Sequence, residues 1–160
     1  MVEASEDLRE ACRGRFTEEG WLLAHAFLFC TDEGKDVIVL VPPWPYEFDD
    51  RGRSMYSKVL RKMAQATDAV GIIFVSEMWG LKEPLNEAEG NKWIGRLHEH
   101  PDRTECLWFT LETLEKQEST FVWVAPIQRD AAGKPSLEPW EHRTVAGAGR
   151  FIGILRRNVD

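Results

Sequence analysis

The side chains best suited to chemistry fall within one stretch of the sequence, residues 69–112. An apolar run, Ala69 to Val75, leads directly into Ser76-Glu77-Met78-Trp79. A polar stretch ends in His98-Glu99-His100-Pro101-Asp102-Arg103-Thr104-Glu105, and a second apolar run follows from Cys106 to Leu111. Two histidines at i and i+2, His98 and His100, have the spacing to chelate zinc. A catalytic zinc needs a third protein ligand and an open position; Asp102 or Cys106 would have to supply that ligand, with Glu77 the other carboxylate of the cluster. The same two carboxylates would serve as an acid–base pair if the loop folded back over the strand. A purely structural role is open to all of these residues. Asp102-Arg103 before a strand makes a turn, and Arg103 can pair with Glu77 or Glu105 and tie the loop to the sheet. This second reading predicts a charged and aromatic brace of Glu77, Trp79, His100, Asp102, Arg103 and Glu105, open to a ligand or partner.

The rest of the chain offers little catalytic equipment. Ser76 has no Gly-x-Ser-x-Gly setting. Cys30 and Cys106 lie in apolar runs, where a thiol is usually inert. Gly147-Ala148-Gly149-Arg150 lacks the lysine and the strand–loop–helix context of a phosphate loop, which leaves only an anion held by Arg150 and the neighbouring amides.

These side chains need a scaffold, and the chain is long enough to bury a core as a single domain spanning residues 1–160. Charged residues make up 29% and hydrophobic ones 43%, which argues against disorder. The net charge of -7 repels phosphate backbones, so nucleic acid is a poor partner. No apolar run reaches the ~20 residues that span a bilayer, and the acidic N-terminus lacks the layout of a secretory signal. Three cysteines without a CxxC pair suggest free thiols in a reducing compartment, hence a cytoplasmic protein. Seven tryptophans are more than a small core needs, which points to an aromatic groove or contact surface.

Patterning predicts the elements in order. A short helix is expected over 4–13, with Ser5 as N-cap, Leu8, Ala11 and Cys12 as its apolar face, and Gly14 as its stop. Strands over 21–30 and 36–41 flank Thr31-Asp32-Glu33-Gly34-Lys35 as a hairpin. His25 is expected to be a packed, structural histidine. Pro42, Pro43 and Pro45 stiffen a loop on which Trp44 and Tyr46 either recognise something or cover the core. A helix over 51–67 places Met55, Val59, Leu60, Met63 and Ala66 inward, and Arg51, Lys58, Arg61 and Lys62 outward. Residues 69–75 are apolar without alternation, as in a strand covered on both faces. A long loop over 80–100, with a helical turn near Trp93, is of the length often found functional. Strands over 106–112 and 120–129, a short edge strand over 137–143 and an apolar segment over 151–155 complete the chain. The expectation is an α+β fold with a largely antiparallel sheet of about five strands and helices packed on it, in the order α-β-β-α-β-β-β. That order resembles the roadblock and profilin-like folds.

Two resemblances bear on function. Gly95, His98, His100 and Pro101 form the G-x-x-H-x-H-P pattern and resemble the JAMM zinc metalloproteases, whose histidines hold the metal. Glu77 would stand for that family's separate glutamate, but the family's downstream S-x-x-D is missing. More broadly, residues 69–155 resemble a diffuse group of small bacterial and phage proteins of unknown activity. They share a strand ending in Glu-x-Trp (Glu77, Trp79), an H-P-D-R-x-E motif (His100 to Glu105) and a late Gly-Arg-Phe (Gly149 to Phe151). The resulting expectation is a non-enzymatic binding or adaptor domain without a cofactor, with a protein partner or a second copy as its target and a small molecule as a further possibility. The alternatives are a zinc-dependent hydrolase built on His98, His100, Glu77 and Asp102, and a small-molecule sensor domain.

Overall fold

The computed structural model describes residues 2–42, 50–81, 89, 92–93, 96–114, 120–145 and 154–155. The Trp44–Tyr46 loop, most of 82–95, the turn at 116–119 and the Gly147–Arg150 stretch lie outside the described residues.

Helix α1 spans Val2–Glu19 and helix α2 spans Asp50–Ala66. The strands are β1 His25–Asp32, β2 Lys35–Val41, β3 Gly71–Leu81, β4 Arg103–Thr113, β5 Thr120–Arg129, β6 Pro135–Leu137 and β7 Glu141–Val145. They form one antiparallel sheet in the order β2-β1-β3-β4-β5, with β6 and β7 both pairing along the outer side of β5. The expected α+β class and element order are therefore found, with seven strands among the described residues in place of about five.

The hairpin turn lies at Glu33-Gly34, both at positive φ (46° and 77°), between the paired residues Asp32 and Lys35. Glycine adopts that conformation freely and matches the strand twist. At the other edge, what reads in sequence as one short strand is two, β6 and β7. Between them Glu138, Pro139 and Trp140 face only Ala125 and Pro126, so one extra residue is inserted as a bulge.

The sheet carries apolar side chains on both faces. On one face Phe29, Ile73, Val75, Leu107, Phe109, Leu111, Ala125 and Ile127 meet Cys12 and Phe16 of α1. On the other, Ala26, Leu28, Ile72 and Phe74 meet Tyr56, Leu60 and Ala64 of α2. The unbroken apolar run at the start of β3 thus has the cause inferred from it: a helix covers each side.

Both helices differ in detail from the sequence expectation. α1 does not stop at Gly14. It continues to Glu19 and ends where Gly20, at φ 80°, donates its N–H to the Phe16 carbonyl at 2.7 Å. Ser5 is buried within the helix rather than capping it, and Ala11 is exposed. In α2 the buried ridge is Tyr56, Leu60 and Ala64, while Met55 and Ala66 face solvent. The Tyr56 hydroxyl decides that rotation. It donates to the Val41 carbonyl at 2.8 Å, which lets a large ring be buried with its polar tip satisfied.

The sheet is strongly curled. Arg143 of β7 donates to the Leu81 carbonyl of β3 at 2.9 Å. These strands are three spacings apart, about 14 Å in a flat sheet, so an arginine bridges them only if the sheet curls over Cys106 and Trp108. Near the C-terminus the buried Glu112 carboxylate accepts the backbone N–H groups of Ile154 (3.1 Å) and Leu155 (2.8 Å), whose side chains complete the α2-side core.

Two stability outcomes follow. Gly14→Ala, at an exposed helix-interior position with nothing within 4 Å of the new carbon, should raise unfolding free energy by about 0.5–1 kcal/mol. Glu112→Ala should lower it by about 2–4 kcal/mol, because two buried N–H groups lose a charged acceptor. Urea unfolding followed by circular dichroism measures both.

Candidate functional site

α1 is shorter than the sheet it covers. Beyond its last turn the chain crosses the sheet: Gly20 packs beside Pro135 of β6, and the Leu22 N–H donates to Glu77 Oε1 of β3. Past this crossing, the end portions of β3, β4 and β5 carry side chains on the α1 side that no helix among the described residues covers. Cross-strand register determines which ones meet. Trp79 lies directly opposite Glu105, and Leu81 opposite Arg103.

Glu105 receives a two-pronged bond from Arg129, Nε to Oε2 at 2.8 Å and Nη2 to Oε1 at 3.2 Å. A planar guanidinium on a carboxylate in this geometry fixes both side chains. Arg103 stacks over the Trp79 ring at 5.1 Å and also donates to the His100 carbonyl at 3.2 Å. Trp79 remains 39% exposed, and Trp21, on the crossing segment, 48%. The site is therefore a row of Trp79, Glu105 and Arg129 across three strands, with Arg103 at one end and Glu77 behind.

Of the brace expected from sequence, the structure brings Trp79 opposite Glu105 and under Arg103, while the expected pairing of Arg103 with Glu77 or Glu105 is not found among the described residues. Arg103 makes its contacts with Trp79 and with the His100 backbone, whereas Arg129 takes Glu105 and the Leu22 amide takes Glu77. Glu77 and Trp79 do not follow the strand but lie within it: β3 continues past Val75 to Leu81, and β4 already begins at Arg103. His100 is buried, edge-on to Trp93 at 4.6 Å, and its Nδ1 accepts the Asp102 N–H at 3.1 Å. It shapes the turn into β4. The Asp102 side chain is exposed on that turn.

His98 is exposed on a single 3-10 turn, Leu97–Glu99, beside Glu99 at 3.6 Å, and Glu99 is held by Arg96. Among the described residues no three His, Cys, Asp or Glu side chains are grouped to hold a metal ion. Burial pushes the Cys12 and Cys106 thiols up to about 11, which keeps them protonated at neutral pH. His25 is half-buried beside Phe27, and burial followed by the Arg15 charge lowers its pKa.

Sequence reading missed Arg129 and Trp21, and it missed a second cluster that anchors α1. Arg9 lies over Trp123 at 4.8 Å and Arg13 over Trp140 at 5.4 Å. Arg13 also donates to the Glu138 carbonyl at 2.7 Å, inside the β6–β7 bulge. The i, i+4 spacing of Arg9 and Arg13 was visible. Their partners, more than a hundred residues away, were not.

Compared with known proteins, the chain matches no family model, no curated protein and no solved structure. No helix among the described residues is long and apolar enough to cross a membrane.

Glu77 yields a pH prediction. Burial raises its pKa, the Leu22 N–H opposes this, Glu105 adds to it and Arg129 opposes it. An acid with a raised folded pKa binds more protons folded than unfolded. Its contribution to stability is therefore full below the ordinary carboxylate range and is lost as pH rises from that range through the raised folded value. Glu77→Gln keeps an oxygen for the Leu22 N–H and removes the buried charge. Thermal melts should show the variant above wild type at pH 7, with the gap closing as pH falls through the raised folded pKa and closed by about pH 4, the ordinary carboxylate range.

Proposed function

We propose that this chain is a non-enzymatic binding or adaptor domain that docks a protein partner on the uncovered end of the sheet. The observation that carries this reading is Trp79. A large aromatic ring is 39% exposed on a central strand, held by the Arg103 guanidinium and bordered by the Glu105–Arg129 pair. Tryptophan and arginine dominate the energetics of protein interfaces. Side chains ordered before binding lose little entropy on binding. Trp21, exposed next to the Leu22 that bonds Glu77, adds apolar area, and the charged pair supplies a polar rim.

Other features support the class. Glu77, Glu105 and Arg129 are engaged in structural contacts, and Cys12, Cys30 and Cys106 are buried free thiols. Free thiols suit a reducing, cytoplasmic setting. The acidic net charge disfavours nucleic acid.

Affinity capture with the tagged chain provides the test. Trp79→Ala should weaken partner retention at least tenfold, the loss typical of a hot-spot aromatic removed (about 2 kcal/mol). Met55→Ala, at an exposed position on α2, should leave it unchanged. Retention insensitive to Trp79, or no retained partner at all, would sink the proposal.

A further inference from the structure

The β2 edge was not singled out by the sequence and plays no part in the docking face above. β2 is the outermost strand of the sheet, and among the described residues nothing pairs with its free side. Alternate N–H and C=O groups of Lys35–Val41 therefore point away from β1. Proteins usually blunt such an edge with an inward charge, a proline, a bulge or a covering loop. Val37-Ile38-Val39-Leu40-Val41 carries no charge and no proline, and its register with β1 runs without a bulge. Ile38 and Leu40 are 46% and 56% exposed on the α1 side.

The pattern of this edge fits itself. We infer that β2 pairs antiparallel with β2 of a second copy, about a two-fold axis at Val39. In that register Val39 meets Val39 of the second copy, Val37 meets Val41, and the exposed Ile38 meets the exposed Leu40, twice. Directly opposed side chains lie about 4.5–5.5 Å apart and cover one another. Charge selects the same register. Centring on Val39 moves Lys35 and Asp36 beyond the apolar run, opposite the prolines that end β2, whereas centring on Asp36 would set two carboxylates face to face. Shifting the centre by one residue, to Ile38, opposes Asp36 to Leu40 and leaves half the exposed apolar surface facing a charge. An isologous contact of this kind closes as a dimer rather than growing. Opposed residues of like parity also keep the α1 side of both sheets facing the same way, so the two Trp79 surfaces point in one direction.

The test uses charge at the two exposed positions, where folding is not at stake and thermal melts verify it. Light scattering over a micromolar dilution series should give twice the monomer mass for the wild-type chain. Ile38→Lys with Leu40→Lys opposes like charges twice and should raise the dimer dissociation constant at least about a hundredfold. Ile38→Lys with Leu40→Glu opposes unlike charges in the Val39 register alone and should restore most of the association. A wild-type monomer overturns the inference, as does a dimer indifferent to the double lysine, or a lysine–glutamate variant no better than the double lysine. Trp79→Ala should leave the dimer intact. If it dissolves the dimer instead, association belongs to the docking face and the β2 contact is wrong, while partner capture still tests that face separately.

Discussion

The double burial of β3 is the constraint on which the structure depends. Residues 71–76 are all buried, odd positions against α1 and even positions against α2. A strand in this position can hold nothing but apolar or small side chains along that length. It also must be central, and it is: β1 pairs on one side and β4 on the other. Everything else is arranged about that strip. The two helices are antipodal covers, and each makes its own arrangement for orientation, Tyr56 to Val41 for α2 and the two arginine–tryptophan stacks for α1.

The candidate site follows from a mismatch of lengths. β3 and β4 each run eleven residues, and α1 ends at Glu19, so that the chain past it, at Leu22, already meets Glu77 of β3. The composition changes where the cover stops: Ile73 and Val75 give way to Glu77 and Trp79 on the same face. The chain leaving α1 then crosses the sheet, and one backbone amide, Leu22 N–H, meets the first carboxylate it passes. The site's rigidity comes from the strands and from the Arg129–Glu105 pair, not from the loop before β4. Of that loop's two histidines, His100 packs against Trp93 and accepts the Asp102 amide, and His98 is exposed.

Local pattern made much of the fold legible. The Glu33-Gly34 turn states its hairpin because only particular residues accept positive φ at low strain. The apolar run of β3 states its depth. The boundaries were less legible, since a glycine inside a helix and one after it look alike in sequence. Gly14 is tolerated in mid-helix because α1 is held by Cys12, Phe16 and its arginines rather than by propensity. Met55 and Tyr56 were similarly interchangeable by spacing. Only a carbonyl within reach of the tyrosine hydroxyl separated them.

By itself the sequence determined the α+β class, the order of helices and strands, the doubly covered strand and the stretch in which Glu77, Trp79, Arg103 and Glu105 lie. Those are consequences of short-range periodicity and of turn stereochemistry. The tertiary structure alone decided the pairings: Arg129 rather than Arg103 on Glu105, Arg103 on Trp79, and His100 turned into packing instead of toward His98. A salt bridge or a stacked cation depends on which strands are neighbours, in what register and on which face. None of these is encoded in the spacing of residues along one strand.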